Sequence, residues 1–334
     1  MLSSLLAAEA VDRRPRRPYH VGNRNEDPAV TTILFAAPAL WPDFREELPA
    51  ALAEAGIDSR IVFDAPDPAS VDYIVYAPSA PLQDFTPFTS TKAVLSLWAG
   101  VERIVDNTTL TQPLCRMVDP SLTEGMVEWV VGHALRHHLG MDRHIVNPGH
   151  VWDPTCPPLA RERPVTILGM GALGSACATA LRALNFPVTG WSRTPKDGCL
   201  HGEAGLETAL STATILVTLL PKTPETENLL NARTIARLPR GAVILNPGRG
   251  ALIDDAALLA ALESGQIGHA TLDVFRFEPL PQDHPYWIHL HVTVTPHVAA
   301  DTRATSAARV IAENIRRGEA GEPLLHLVDR SRGY

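Results

Sequence analysis

The stretch Val165-Thr-Ile-Leu-Gly-Met-Gly-Ala-Leu-Gly-Ser-Ala176 decides the fold, because it opens as a buried strand and closes as the start of a helix. Gly169, Gly171 and Gly174 fall at that junction with the spacing G-x-G-x-x-G. The first glycine permits the tight turn, the second lets backbone amides approach a pyrophosphate, and the third lets the helix pack close to the strand. The helix N-terminus then offers unpaired N–H groups and partial positive charge to an anion. Such spacing is weak alone, but Pro164–Leu168 is a short apolar run and Ala176–Leu184 reads as a small-residue helix. The stretch therefore predicts a dinucleotide site, with Gly169, Gly171, Ala172, Leu173 and Gly174 as its loop contacts. The alternatives are a turn that binds nothing, or a site for another nucleoside cofactor.

The next strand end selects between dinucleotides. In an NAD site a carboxylate about twenty residues beyond the glycines bonds the ribose 2′-hydroxyl. Here the chain reads Gly190-Trp-Ser-Arg-Thr-Pro-Lys196, with Ser192 where the carboxylate belongs. A carboxylate repels a 2′-phosphate, whereas the Ser192 hydroxyl with Arg193 and Lys196 binds one. Ser192, Arg193, Thr194 and Lys196 thus predict NADP(H) in preference to NAD(H). The alternative is that Arg193 stacks on adenine or is simply solvated.

Working outward, 334 residues are too many for one ordinary core, so two domains are expected. A hydrophobic content of 45% with 20% charged residues describes a soluble globular chain, and a net charge of -8 argues against nucleic acid as partner. Cys115, Cys156, Cys177 and Cys199 are scattered without a C-x-x-C pair, which suits a reducing cytoplasm and gives no cysteine zinc site. No apolar run is long enough to span a bilayer. Met1–Pro28 carries Arg13-Arg-Pro-Arg-Arg-Pro with no apolar segment after it, the wrong order for a secretory or twin-arginine signal. It is read as a poorly ordered extension, with a basic anchoring arm as the sharper alternative.

Strand candidates in the first half are Thr31–Ala37, Ser59–Phe63, Val71–Tyr76 and Ala93–Trp98, with an amphipathic helix over Pro42–Ala55. A long helix is predicted over Thr123–Gly140. Beyond the glycine loop, strands are predicted at Pro187–Trp191, Thr214–Leu220, Ala242–Asn246, Ala270–Val274 and His291–Thr295. Helices are predicted at Thr234–Leu238 and Asp255–Ser264, and a last one, Thr302–Arg317, is expected to return to the first domain. Alternating strands and helices mean parallel sheets with helices on both faces, an α/β fold of two doubly wound domains.

Four more segments sit at predicted strand ends: Leu220-Pro-Lys-Thr-Pro-Glu-Thr, Leu245-Asn-Pro-Gly-Arg-Gly, Leu272-Asp-Val-Phe-Arg-Phe-Glu-Pro-Leu-Pro and Val294-Thr-Pro-His-Val-Ala-Ala. Together with the glycine loop, and in this order, they resemble the D-isomer-specific 2-hydroxyacid dehydrogenase family over roughly residues 29–334. The tail Val328-Asp-Arg-Ser-Arg-Gly-Tyr and the Gly190-Trp-Ser-Arg-Thr segment look like its bacterial glyoxylate/hydroxypyruvate reductase A branch. The resemblance implies a flavodoxin-like substrate domain, 29–122 plus 299–334, and an NADP-binding Rossmann domain, 123–298. It implies a homodimer built through the nucleotide domain, and cofactor contacts at Leu220, Pro221, Pro247 and, on the nicotinamide side, Asp273.

The chemistry also reads from the residues. Reducing a 2-oxo acid takes a cation for the carboxylate, a proton donor for the carbonyl oxygen and a hydride source. Arg249 is a fork donor suited to the first task. His297 can give a proton near neutral pH. Glu278, if hydrogen-bonded to His297, would orient it and favour the imidazolium. The resemblance assigns the same roles to Arg249, Glu278 and His297. Singly, each has a plainer reading: a strand cap, a loop carboxylate, a turn histidine.

Ser96-Leu-Trp-Ala-Gly-Val-Glu102 matches the family's strand-to-helix loop, so Trp98, Ala99 and Gly100 are expected at the substrate carboxylate. The sequence departs there from the family pattern, with Trp98 in place of the usual glycine and Glu102 in place of aspartate. An indole at that place either narrows the pocket or points into the core. His133, His137 and His138 are read as a helix surface, not a metal site, since no carboxylate or cysteine cluster accompanies them. The expected activity is NADPH-dependent reduction of glyoxylate or hydroxypyruvate to the D-2-hydroxy acid. The rivals are a dehydrogenase for a bulkier 2-oxo acid, one oxidising formate or phosphite, or a non-catalytic NAD(P)H sensor.

Overall fold

The structure, a computed structural model, describes residues 30–330 and 333. The segment Met1–Pro28, read above as an extension, lies outside the described residues, as do Ser331, Arg332 and Tyr334 of the tail motif. The first unit runs β1 (Thr31–Phe35), α1 (Trp41–Phe44), α2 (Glu47–Glu54), β2 (Ser59–Val62), β3 (Tyr73–Tyr76), β4 (Ala93–Ser96) and β5 (Leu114–Cys115). Two helices follow, α3 (Pro120–Leu139) and α4 (Asp142–Ile145). The second unit then runs β6 (Val165–Leu168), α5 (Ala172–Ala183), β7 (Val188–Ser192), β8 (Cys199–His201), α6 (Gly202–Thr212) and β9 (Ile215–Thr218). It continues through α7 (Ala232–Ile235), β10 (Ala242–Asn246), α8 (Asp255–Glu263), β11 (Ile267–Leu272) and β12 (Val292–Val294), after which comes α9 (Ala304–Glu319).

The strand orders are β2-β1-β3-β4-β5 and β12-β11-β10-β9-β6-β7-β8, with parallel pairing in both sheets. Each order reverses once, beside β1 in the first sheet and between β6 and β9 in the second. Ligand crevices open at the carboxyl ends of strands flanking such a reversal. The near-continuous apolar strands follow from cover on both faces. Val165 and Ile167 of β6 with Ile215 and Val217 of β9 pack under α3 and α5. Leu168 and Leu216 face the other way, under α6 and α8. Ala307, Ala308, Ile311, Ala312 and Ile315 of α9 enter the core of the first sheet, so the last helix does return to the first domain.

Several elements depart from the expectations. The helix expected over Pro42–Ala55 is two pieces, because Pro49 cannot donate to Arg45 and sits in the first turn of α2, where a missing N–H is harmless. The long helix starts at Pro120, not Thr123, since the Asp119 side chain accepts from the Ser121 and Leu122 amides. It ends at Leu139, with Gly140 (φ 61°) as a left-handed cap. The loop after β4 leads into hydrogen-bonded turns through Ile104 and Val105, not into the expected helix. His133, His137 and His138 are not a helix surface. α3 packs beside α5 on one face of the second sheet, so His138 is buried edge-on to Phe186, and the half-buried His137 reaches Thr271 on β11. Burial first, then neighbouring positive groups, pushes His137 down to about 3.

Candidate active site

The glycine loop does what its spacing requires. Gly169 has φ +104°, and a Cβ there would stand 2.4 Å from the Leu219 carbonyl across the β6/β9 reversal. A Cβ on Gly174 would stand 1.9 Å from the Gly169 carbonyl, so α5 can approach β6 only with glycine there. At Gly171 a Cβ would meet nothing within 4 Å. Nothing inside the protein demands glycine at that position, and it is exposed together with Ala172. This is the cradle a pyrophosphate needs: backbone in reach and no side chain in front of it. Leu173 is half-buried behind it.

At the end of β7 the Ser192 hydroxyl donates to the Thr194 carbonyl at 2.5 Å, and Arg193 pairs with Glu225 at 3.5 Å. Lys196 reaches back and donates to the Met170 carbonyl of the glycine loop. The two cations therefore flank the loop where the ribose end of a dinucleotide lies in this fold. Glu225 is an anionic neighbour that sequence reasoning missed. Leu220 is buried after β9, the Pro221 carbonyl accepts from Thr226, and Pro247 is buried after β10.

Three loops at the carboxyl ends of adjacent strands carry the expected catalytic set. His297 follows β12, and its Nδ1 lies 2.8 Å from Glu278 Oε2 in the loop after β11. The other oxygen of Glu278 accepts from the Phe275 amide at 2.9 Å, which fixes the carboxylate plane. An ionised carboxylate can only accept, so Nδ1 carries the hydrogen and Nε2 is the atom left to exchange a proton. The His297 imidazole is half exposed, with 53% of its side chain open to solvent. Its backbone is pinned, with the amide donating to the Asp273 carbonyl at 2.8 Å.

Arg249 follows β10, next to Gly250, where a Cβ would stand 2.0 Å from the Phe275 backbone. Phe275 is the residue whose amide holds Glu278, so the Arg249 and Glu278 loops are in direct contact. Across the domain boundary, the Glu102 carboxylate grips Arg249 side-on, with Nε at 2.8 Å and Nη2 at 3.3 Å. Burial raises the Glu102 pKa, but the charge and hydrogen bonds of Arg249 outweigh it, helped by the Lys222 amide, and hold the carboxyl below its ordinary value. Nη1 of Arg249 donates to the Gly248 carbonyl at 2.8 Å. A guanidinium has five N–H groups, so this grip leaves donors at the Nη1/Nη2 edge. The same guanidinium lies against Gly100, whose Cβ would be 2.1 Å from Nη2. The expected carboxylate contacts Ala99 and Gly100 are therefore beside Arg249. Trp98 packs partly against the first core, with the Arg103 guanidinium 5.9 Å from its ring.

One expected cofactor contact has a structural role as well. Asp273 is fully buried, and its carboxylate accepts from Thr295 Oγ1 at 2.6 Å and from the Val298 and Ala299 amides at 2.9 Å. It organises the loop that bears His297. Two further supports escaped sequence reasoning. Asn246, almost fully buried, receives Thr218 Oγ1 at 2.6 Å and donates to the Arg249 carbonyl at 3.1 Å. Its signal was its place inside Leu245-Asn-Pro-Gly-Arg-Gly. That of Thr295 was its place inside Val294-Thr-Pro-His-Val-Ala-Ala.

Residues 131–299 match the family described as D-isomer specific 2-hydroxyacid dehydrogenase, NAD binding domain. Among solved structures, a D-isomer specific 2-hydroxyacid dehydrogenase of Xanthobacter autotrophicus Py2 in complex with NADPH and MES is 40% identical, covering 91% of this chain and 99% of that one, with a TM-score of 0.83. The NADPH-dependent glyoxylate/hydroxypyruvate reductase of Sinorhizobium meliloti, with NADP and sulfate, is 36% identical over 91% of this chain and 100% of its own, with a TM-score of 0.79. A probable 2-hydroxyacid dehydrogenase of Rhizobium etli CFN 42, with NADP, HEPES and L(+)-tartaric acid, is 33% identical over 91% and 99%, with a TM-score of 0.80.

Proposed function

The chain belongs to the D-isomer specific 2-hydroxyacid dehydrogenase family, and from that premise we propose that it reduces a small 2-oxo acid, glyoxylate or hydroxypyruvate, with NADPH. The observation that carries the reading is the His297–Glu278 contact at 2.8 Å beside the Arg249 loop. In this reading the free edge of Arg249, with the Ala99 and Gly100 amides, holds the substrate carboxylate and polarises its carbonyl. His297 gives the Nε2 proton to the carbonyl oxygen as negative charge develops there, while Glu278 stabilises the resulting imidazole in its Nδ1–H form. The chemistry the bound nicotinamide supplies is a hydride to the carbonyl carbon. Gly169, Gly171, Ala172, Leu173 and Gly174 cradle the pyrophosphate, with Leu220, Pro221 and Pro247 walling the crevice.

The preference for NADPH rests on Ser192, Arg193 and Lys196 and on the absence of a carboxylate at the end of β7. NADPH or NADP in the three similar structures supports it. Two copies are proposed to associate through the nucleotide domain. Ile145, Val146, Val151 and Trp152, which follow α3 and are 64–93% exposed, form an apolar surface suited to a second copy of the chain. Among the described residues no helix is long and apolar enough to cross a membrane, and a cytoplasmic location belongs to the same proposal.

The test is steady-state reduction of glyoxylate, hydroxypyruvate, pyruvate and phenylpyruvate with each cofactor. We expect the highest kcat/KM for glyoxylate and hydroxypyruvate with NADPH. Arg193→Ala should raise the KM for NADPH on the order of tenfold and leave that for NADH nearly unaltered, the loss of one charge-assisted contact. Tight NADPH binding without turnover on any of the four acids would favour a sensor instead.

A further inference from the structure

A second group of chemistry-bearing side chains lies away from this crevice, at the amino-terminal half of β11. His137 stands in the last turn of α3, Asp142 opens α4, and His269 is the third residue of β11. One ligand atom from each of the three lies within 4.8 Å of the others. The Gly140 cap turns the chain back by one tight step, which brings Asp142 to the same side as His137. We propose that His137, Asp142 and His269 form a binding site for one divalent transition-metal ion of the zinc, cobalt or nickel class.

The surroundings of the two imidazoles carry the argument. Nε2 of His137 lies 2.8 Å from Thr271 Oγ1, and Nε2 of His269 lies 2.9 Å from Thr293 Oγ1. Thr271 and Thr293 are direct partners in the β11/β12 pairing, so both hydroxyls are fixed by the sheet. A ligating imidazole usually donates its far N–H to such an outer partner, which sets ring orientation and leaves the near nitrogen for the metal. Here each threonine plays that part and Nδ1 remains for the ion. The rings already lie side by side, with centroids 4.7 Å apart and planes tilted by 43°. Two imidazole nitrogens and one carboxylate oxygen suit a borderline divalent ion and are too nitrogen-rich for magnesium or calcium. Tetrahedral ligation at 2.0–2.1 Å puts ligand atoms about 3.4 Å apart, so small side-chain rotations close the triad. His291, whose ring centroid is 6.3 Å from that of His269, is a further imidazole on this side.

Arg136 opposes the ion, because its Nε holds Asp142 Oδ1 at 2.6 Å. That competitor gives the proposal a signed test. The full-length chain without a histidine tag is stripped with chelator, then titrated with Zn²⁺ by calorimetry and with Co²⁺ by visible absorption. We expect one ion per chain. His269→Gln and Asp142→Asn should each weaken binding roughly tenfold or more, with the far-ultraviolet circular dichroism unaltered. Arg136→Gln should tighten it several-fold by releasing the carboxylate. Failure to retain an ion, or saturation that is the same in the His137→Gln/His269→Gln double variant, overturns the site. Neither outcome bears on the reductase reading, since these residues touch none of its machinery.

Discussion

His297 sits at φ 55°, in the left-handed region that a histidine enters only when its surroundings hold it there. The holding groups are visible: the Asp273 carbonyl on its amide, the Asp273 carboxylate on the two residues after it, and Glu278 on its ring. Position and tautomer are thus set before any substrate arrives. Replacing Glu278 by Gln keeps the shape but supplies an amide that can also donate, so the imidazole no longer has to keep its hydrogen on Nδ1. We expect Glu278→Gln to lower kcat on the order of 10²-fold or more, with NADPH affinity unaltered. Glu278→Asp should recover part of the loss. The pH profile of kcat checks the assignment, and a profile identical to the wild type would remove Glu278 from proton transfer.

At the level of elements, the informative stretches were those where one physical demand dominates. The β6 to α5 junction was legible because three glycines answer three separate constraints, and β10 came out residue for residue because its apolar run ends at the Asn-Pro of a sharp turn. β5, β8 and α6 were missed. β5 and β8 are two and three residues long, too short for any period to show. α6 opens on Gly202 and carries Gly205, poor helix formers whose cost is met by packing Leu206, Ala209 and Leu210 under the sheet. The α3 histidines were misread for a related reason. The helix buries Leu122, Met126, Val130, Ala134 and His138 at every fourth position and exposes Glu124, Glu128 and Gly132, so His138 closes the buried stripe, a place its polar side chain does not announce. The glycine constraint can be tested directly. Gly174→Ala puts a methyl where the Gly169 carbonyl stands, so α5 must retreat from β6. We expect a loss of about 1–3 kcal/mol in urea unfolding together with weakened NADPH binding. Gly171→Ala, which meets no protein atom, should weaken NADPH binding while leaving stability within about 1 kcal/mol.

The two domains are joined chemically as well as by chain crossings at α3 and α9, because Glu102 of the first holds Arg249 of the second. The sequence showed Glu102 only as a departure from a family pattern, and nothing in its spacing could reveal that its partner stands 147 residues away. Domain arrangement creates that pair, so it belongs to the whole molecule. Its carboxyl pKa is lowered in the folded state from an ordinary 4.5, which means the pair stabilises the fold above that value and ceases to as pH falls through the lower folded-state value. Glu102→Gln leaves a half-buried guanidinium without its counter-ion. We expect stability at pH 7 to fall by about 1–3 kcal/mol, measured by urea unfolding. The gap from wild type should persist near pH 4.5 and close only in more acidic solution, where the wild-type carboxylate is itself protonated. Because Glu102 aims the free edge of Arg249, the variant should also show a KM for the 2-oxo acid raised about tenfold, a difference of about 1.4 kcal/mol, with NADPH affinity untouched. If the stability gap is the same from pH 7 to well below 4, the pair is not charged in the folded protein. If the KM is unaltered, the Glu102 grip serves the domain junction alone.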